Sequence, residues 1–182
     1  KHIIGKRGIM QGIIIINKPR GFTSQDVVSK TKKILNVKKA GHTGTLDPLA
    51  TGVLPVLLGN YTKLSKYLIE HNKTYIAKIK LGEKTVTGDQ EGEVIETKTV
   101  KEERLSKETI DDVLKTFLGK QIQTPPIYSA IKVDGKKLYE YARQGIDVRI
   151  EPREIEIYKL ELLNINFEEK EIEISVSCSK GT

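Results

Sequence analysis

The stretch Gly41-His42-Thr43-Gly44-Thr45-Leu46-Asp47-Pro48 has the residue types and spacing best suited to chemistry. It places a lone carboxylate, Asp47, in a loop rich in Gly and Thr, and Pro48 pushes that residue toward extended backbone. The setting is basic. Residues 1–81 carry fifteen Lys and Arg against three Asp and Glu, a net of +12, whereas residues 82–182 carry a net of −5. A carboxylate inside such a field offers a nucleophile or a base to a bound polyanion. The glycines permit close approach by a ligand backbone. The structural alternative is an Asx-turn or a helix N-cap at Asp47. The glycine-lysine signature of a phosphate-cradling loop is absent.

Composition narrows the classes. The chain has 182 residues, 37% hydrophobic and 30% charged, with a net charge of +7. That describes a globular chain long enough to bury a core. Its longest aliphatic run is Ile13–Ile16, far short of the roughly 20 apolar residues of a membrane span. The first ten residues lack the apolar stretch of a secretory signal. One cysteine and three scattered histidines, His2, His42 and His71, do not make a structural zinc site. A lone cysteine fits a reducing, cytoplasmic setting, and Cys178 reads as a small core residue of a strand.

The elements that must position Asp47 follow from periodicity. Gly12–Ile16 reads as a buried strand, ended by Asn17-Lys18-Pro19-Arg20-Gly21. Thr23 or Ser24 caps a helix with Val27, Val28, Thr31, Ile34 and Leu35 on its apolar stripe. Residues 40–52 form a loop. Val53–Leu58 is a short apolar strand, which Pro55 places at an edge or bend. Leu64–Ile69 is a short helix, and Thr74–Leu81 alternates as a half-exposed strand. Further on come a Ser106-capped helix with stripe Ile110, Val113, Leu114 and Phe117, and a strand ending in an Asp134-Gly135 turn. A short helix over Leu138–Arg143 stops at Gly145, and Arg153–Phe167 and Glu171–Ser177 are two antiparallel strands. The class is α+β.

These residues also carry a resemblance. GHTGTLDPLATGVLP, with INKPRGFTS before it, KTYIAKIKLG after it and PPIYSAIKVDGKKLYEYARQG later, resembles the TruB family of tRNA pseudouridine synthases over about Met10–Thr182. The resemblance implies the pseudouridine synthase fold, a mixed and mostly antiparallel sheet flanked by helices. It implies isomerisation of uridine to pseudouridine at the T-loop position numbered 55, without metal or organic cofactor. The compact start at Met10 and the lack of long basic tails favour a guide-free enzyme over a guide-RNA-dependent relative of the dyskerin type, and a monomer is expected. Asp47 matches the catalytic aspartate. Its implied role is covalent attack, or proton removal leading to a glycal-like intermediate. Tyr75 matches a tyrosine that stacks on the extruded base, and its plain alternative is strand core. His42 matches a histidine that packs into the RNA loop, against the alternative of a hydrogen-bonded loop histidine. Lys18 and Pro19 match a dipeptide supporting the catalytic loop, where a solvated turn is the alternative. Gly44, Thr45 and Leu46 flank Asp47 on the RNA-facing side. The lysines at 30, 32, 33, 38 and 39 are positioned for tRNA phosphates, or else form a solvated helix face. Tyr128, Ser129, Lys132 and Arg143 read as fold support for the cleft.

The termini carry expectations too. Met10 is the only methionine, so residues 1–9 read as a tag or upstream arm and 10–182 as the catalytic domain. The family continues beyond Ser179-Lys180-Gly181-Thr182 into a tyrosine, an isoleucine and an arginine, the last pairing with the aspartate, and then into a small RNA-binding domain. If the polypeptide ends at Thr182, a weakened or inactive isomerase, or a non-catalytic RNA-binding and tRNA-folding fragment, is expected. If it is part of a longer chain, the intact protein is expected to be active.

Overall fold

The computed structural model describes residues 10–69, 71–129 and 131–182, so the arm over 1–9 lies outside the described residues. The chain divides into two compact units, Lys1–His71 and Asn72–Thr182.

The first unit is built from β1 (Gly12–Lys18), α1 (Ser24–Leu35), β2 (Ala40–His42), β3 (Gly52–Leu58) and α2 (Ser65–Leu68). A 3-10 stretch over Gly59–Leu64 leads into α2. The sheet order is β1-β3-β2, with both pairings antiparallel. Register explains the core. Ile14 faces Val56 and Ile16 faces Leu54, so one pleat side presents all four to α1, whose Val27 and Val28 complete the cluster. Burying each such side chain stabilises by about 1.5–3 kcal/mol.

Several sequence expectations change here. Gly12–Ile16 reads as a buried strand, yet Ile15 is 62% exposed, because α1 covers only one side of the sheet. Ile34 is exposed, since it lies at the margin of the helix arc that meets the sheet. Residues 40–42, expected as loop, pair with β3. Pro55 sits in the central strand rather than an edge strand. It is tolerated because β2 ends opposite Val56, leaving the far side of Pro55 without a ladder partner.

Thr23 caps α1 through a reciprocal box. Its hydroxyl accepts from the Asp26 amide at 3.0 Å, and its own amide donates to Asp26 Oδ2 at 2.9 Å. The Thr23 hydroxyl and then the Thr23 amide hold the Asp26 carboxyl below its ordinary value of 3.8. A depressed carboxylate contributes stability that is present above the unfolded value and lost as pH falls through the folded one. The cap is therefore expected to weaken only below about pH 4. A carboxyl-carbon NMR titration checks this, and a midpoint at or above 3.8 would contradict it.

The second unit holds β4 (Lys73–Lys80), β5 (Glu83–Thr85), β6 (Val94–Thr97), α3 (Lys107–Lys115), β7 (Gly119–Gln123), β8 (Lys132–Val133), β9 (Lys136–Lys137), α4 (Leu138–Arg143), β10 (Arg153–Asn166) and β11 (Glu171–Cys178). Its main sheet runs β4-β11-β10-β7, and β5-β6 and β8-β9 are separate hairpins. All of these pairings are antiparallel. Ile110 and Leu114 of α3 pack on Ile172 and Ile174 of β11. Val113 and Phe117, expected on the same stripe, are about half exposed, because α3 meets the sheet along its Ile110–Leu114 row only. Asp134 and Gly135 both have positive φ, the backbone of a two-residue hairpin turn. Cys178 is buried and unbonded, the core residue expected of it.

Candidate active site

Lys18 is the last residue of β1, and its side chain is fully buried. An ammonium out of water needs acceptors for its three protons. Nζ donates to Phe22 O at 2.6 Å, Pro19 O at 3.1 Å and Pro48 O at 3.2 Å. Two of these carbonyls belong to the turn after β1, and the third follows Asp47 directly. The solvated-turn alternative for Lys18 fails on this burial. Pro19 is exposed and takes part through its carbonyl. The Gly21 amide donates to the same Pro48 O at 2.8 Å. Gly21 makes that contact at φ 84, a left-handed conformation that favours glycine.

The other flank of Asp47 is held from α1. Ser24 is 2% exposed. Its hydroxyl accepts from the Leu46 amide at 2.9 Å and donates to Leu46 O at 3.3 Å. Because Thr23 performs the capping, Ser24 is free to do this. The Asp47 carbonyl accepts from the Ala50 amide at 3.0 Å, which closes a turn with Pro48 at its second position. The backbone is thus pinned before, at and after Asp47.

The Asp47 carboxylate is exposed, and among the described residues it makes no hydrogen bond or ion pair. The Asx-turn and N-cap alternatives therefore do not describe it. The amide of Ala50 bonds the main-chain carbonyl of Asp47, and no helix starts at Pro48. A fixed backbone carrying an unencumbered carboxylate is what a nucleophile or general base requires.

His42 ends β2 opposite Val56, and its Nδ1 is buried without a hydrogen-bond partner among the described residues. Thr43 beside it is buried, Gly44 and Leu46 are partly so, and Thr45 is exposed. Tyr75 lies in β4 opposite Val176 and is 38% exposed. It belongs to the second unit, and the other predicted residues belong to the first. Among the described residues no group of three or more His, Cys, Asp and Glu converges as a metal site.

Charge is divided between the units. Residues 1–71 carry a net of +9 and residues 72–182 a net of −2. Lys30, Lys33, Lys38 and Lys39 are exposed and Lys32 is half-buried. None of them has a carboxylate within 4 Å among the described residues, whereas the ion pairs found, such as Lys120–Glu154 and Lys159–Glu161, lie in the second unit. A field without ion pairs among the described residues is suited to an external polyanion.

Ser24 and Gly21 were not singled out as site residues by sequence reasoning. The available signal was two adjacent hydroxyls, Thr23 and Ser24, before a helix that can use only one as its cap.

Comparison with known proteins gives the family and the fold. Residues 32–182 match the model of the TruB family pseudouridylate synthase (N terminal domain). A protein of Enterobacter sp. (strain 638) named tRNA pseudouridine synthase B is 51% identical over 173 residues, 95% of this chain and 54% of that protein. A protein of the same name from Idiomarina loihiensis is 47% identical over the same shares of 95% and 54%. The chain thus spans about half the length of the curated relatives it matches. A solved structure described as "Crystal Structure of a Cbf5-Nop10-Gar1 Complex" superimposes with a TM-score of 0.66 at 32% identity, covering 94% of this chain and 40% of that one. A second, described as an H/ACA RNP bound to a substrate RNA containing 2'-deoxyuridine, gives 0.64 at 30% identity, covering 94% and 38%. With matches over nearly its whole length in both sequence and fold, the chain belongs to the TruB family of pseudouridylate synthases.

Proposed function

We propose that this chain carries the catalytic centre of an isomerase that converts uridine to pseudouridine in the T-loop of tRNA, with Asp47 as the reactive carboxylate. The observation that carries this reading is the Asp47 carboxylate itself, without a partner among the described residues on a backbone pinned at Leu46, Asp47 and Pro48. Family membership and the name shared by relatives at about 50% identity support the reaction class and the tRNA substrate. Those relatives are more similar to this chain than the structures solved in H/ACA assemblies, at 51% against 32% identity, which favours an isolated tRNA stem-loop over a guided target.

The reaction breaks the N1–C1′ bond of the nucleotide and forms a C5–C1′ bond. N1 gains a proton and C5 loses one, so nothing is oxidised and no co-reactant is consumed. Asp47 acts either as nucleophile or as base. The target base must leave its stack to be reached, and Tyr75 supplies an aromatic face for stacking, worth roughly 1–3 kcal/mol. His42 lies beside Thr43 at the start of the Asp47 loop, where it meets the RNA loop. Loss of the C5 proton gives the test. A T-arm stem-loop tritiated at uridine C5 releases its label to water when the chain isomerises it. An unlabelled-water result with the stem-loop still bound would leave an RNA-binding module instead.

Docking through the lysines makes binding steeply dependent on salt. Each phosphate neutralised contributes about 0.7–0.9 to the slope of log K against log salt. Changing Lys33 and Lys38 to Gln is expected to weaken stem-loop binding and to flatten that slope by about 0.7–0.9 for each phosphate no longer neutralised. A filter-binding titration from low to high salt measures it. An unchanged slope would move the phosphates away from α1.

A further inference from the structure

We propose that Ser24 is a positioning residue for Asp47, holding the loop in its reactive conformation through both main-chain groups of Leu46. The inference rests on the reading of Asp47 as the reactive carboxylate.

A hydroxyl can donate once and accept twice. Ser24 uses it on one residue only, accepting from the Leu46 amide at 2.9 Å and donating to the Leu46 carbonyl at 3.3 Å. The two residues are 22 apart in sequence, so the contact belongs to tertiary structure. Leu46 also packs its side chain against the cluster of Val27, Val28 and Leu54. The peptide entering Asp47 is thereby tied to α1, while Lys18 and Gly21 hold the peptide that leaves it. The two ties differ in kind. Lys18 also joins Pro19 and Phe22 of the neighbouring turn, so removing it loosens the turn as well as the loop. The Ser24 hydroxyl bonds only Leu46 among the described residues, and the α1 cap belongs to Thr23. Removing the Ser24 hydroxyl therefore frees the Asp47 loop while leaving the helix cap and the basic face in place. The effect falls on the orientation of a reacting group, which governs turnover more than substrate affinity.

The test compares the wild-type chain with Ser24→Ala, Asp47→Asn and Thr31→Val. Thr31 is a matched control, a buried hydroxyl of the same helix that bonds back to Val27 O at 2.8 Å and does not reach the loop. Tritium release gives kcat and KM, and amide hydrogen exchange reads the Leu46 N–H directly. Ser24→Ala is expected to lower kcat about 100-fold, the scale of a slightly misplaced reacting group, with KM little changed. It should also speed Leu46 exchange about tenfold. Thr31→Val should show a similar fall in melting temperature with kcat and Leu46 exchange unchanged. If Ser24→Ala does not fold, Ser24→Thr keeps the hydroxyl, and Leu46 protection retained or lost in it decides the same question. The proposal is overturned if Ser24→Ala matches Thr31→Val in kcat, if only KM rises, or if Leu46 exchange is unmoved. Failure of the isomerase reading looks different. The wild-type chain then releases no label and Asp47→Asn changes nothing, while Leu46 exchange still reports whether Ser24 holds the loop.

Discussion

Changing Asp47 to Asn is expected to reduce tritium release by about 10²–10⁴-fold or more, the range lost with a positioned acid, base or nucleophile. Stability should stay within about 0.5 kcal/mol of wild type, because the carboxylate is exposed and carries no hydrogen bond among the described residues. The substitution is close to isosteric and keeps the backbone bonds of Leu46, Pro48 and Ala50. Binding of the stem-loop should hold or tighten slightly, since a negative charge leaves a site for a polyanion. That combination separates the proposed isomerisation from RNA binding alone. An RNA-binding module would lose nothing with Asp47, whereas an isomerase loses turnover alone. Undiminished label release from the variant would remove Asp47 from the chemistry.

Changing Lys18 to Met should cost stability instead. The methionine fills much of the same volume, but Pro19 O and Phe22 O are left without their donor, while Pro48 O keeps the Gly21 amide. A buried acceptor deprived of its partner costs about 1–3 kcal/mol. Half-buried Phe22 O bears most of that, exposed Pro19 O can turn to water, and relief of the ammonium's desolvation offsets part of it. A net loss of about 1–3 kcal/mol follows, or roughly 2–12 °C in melting temperature. Turnover should fall too, since Pro48 loses one of its two tethers. Arginine is not a conservative replacement, because its planar fork does not match three carbonyls converging on one nitrogen. Thermal melts of Lys18→Met would settle the point. A melting temperature equal to wild type would mean that the three carbonyls do not depend on the ammonium.

Both predictions depend on the third dimension to different degrees. Asp47 stands out in one dimension, because a carboxylate between Gly-rich chain and proline in a basic half is unusual by composition alone. The α1 helix, the β10–β11 pair and the Asp134-Gly135 turn are legible for the same reason, being set by short-range periodicity and local dihedral preference. Strand pairing is another matter. Pro55 reads as an edge residue, and nothing local reveals that β3 is central while β2 stops one residue short of it. Likewise the apolar run at 13–16 does not say which isoleucines α1 covers, since one helix buries only one pleat side.

By itself, then, the sequence determined the family, the candidate carboxylate and the basic half, all properties of residue type and order. Tertiary structure decided which groups Lys18 and Ser24 bond. Their partners, Pro48 and Leu46, lie 30 and 22 residues away, and no local pattern pairs an ammonium or a hydroxyl with a carbonyl so distant. Folding brings β1 and α1 against the loop, and burial then obliges each polar group to find those acceptors.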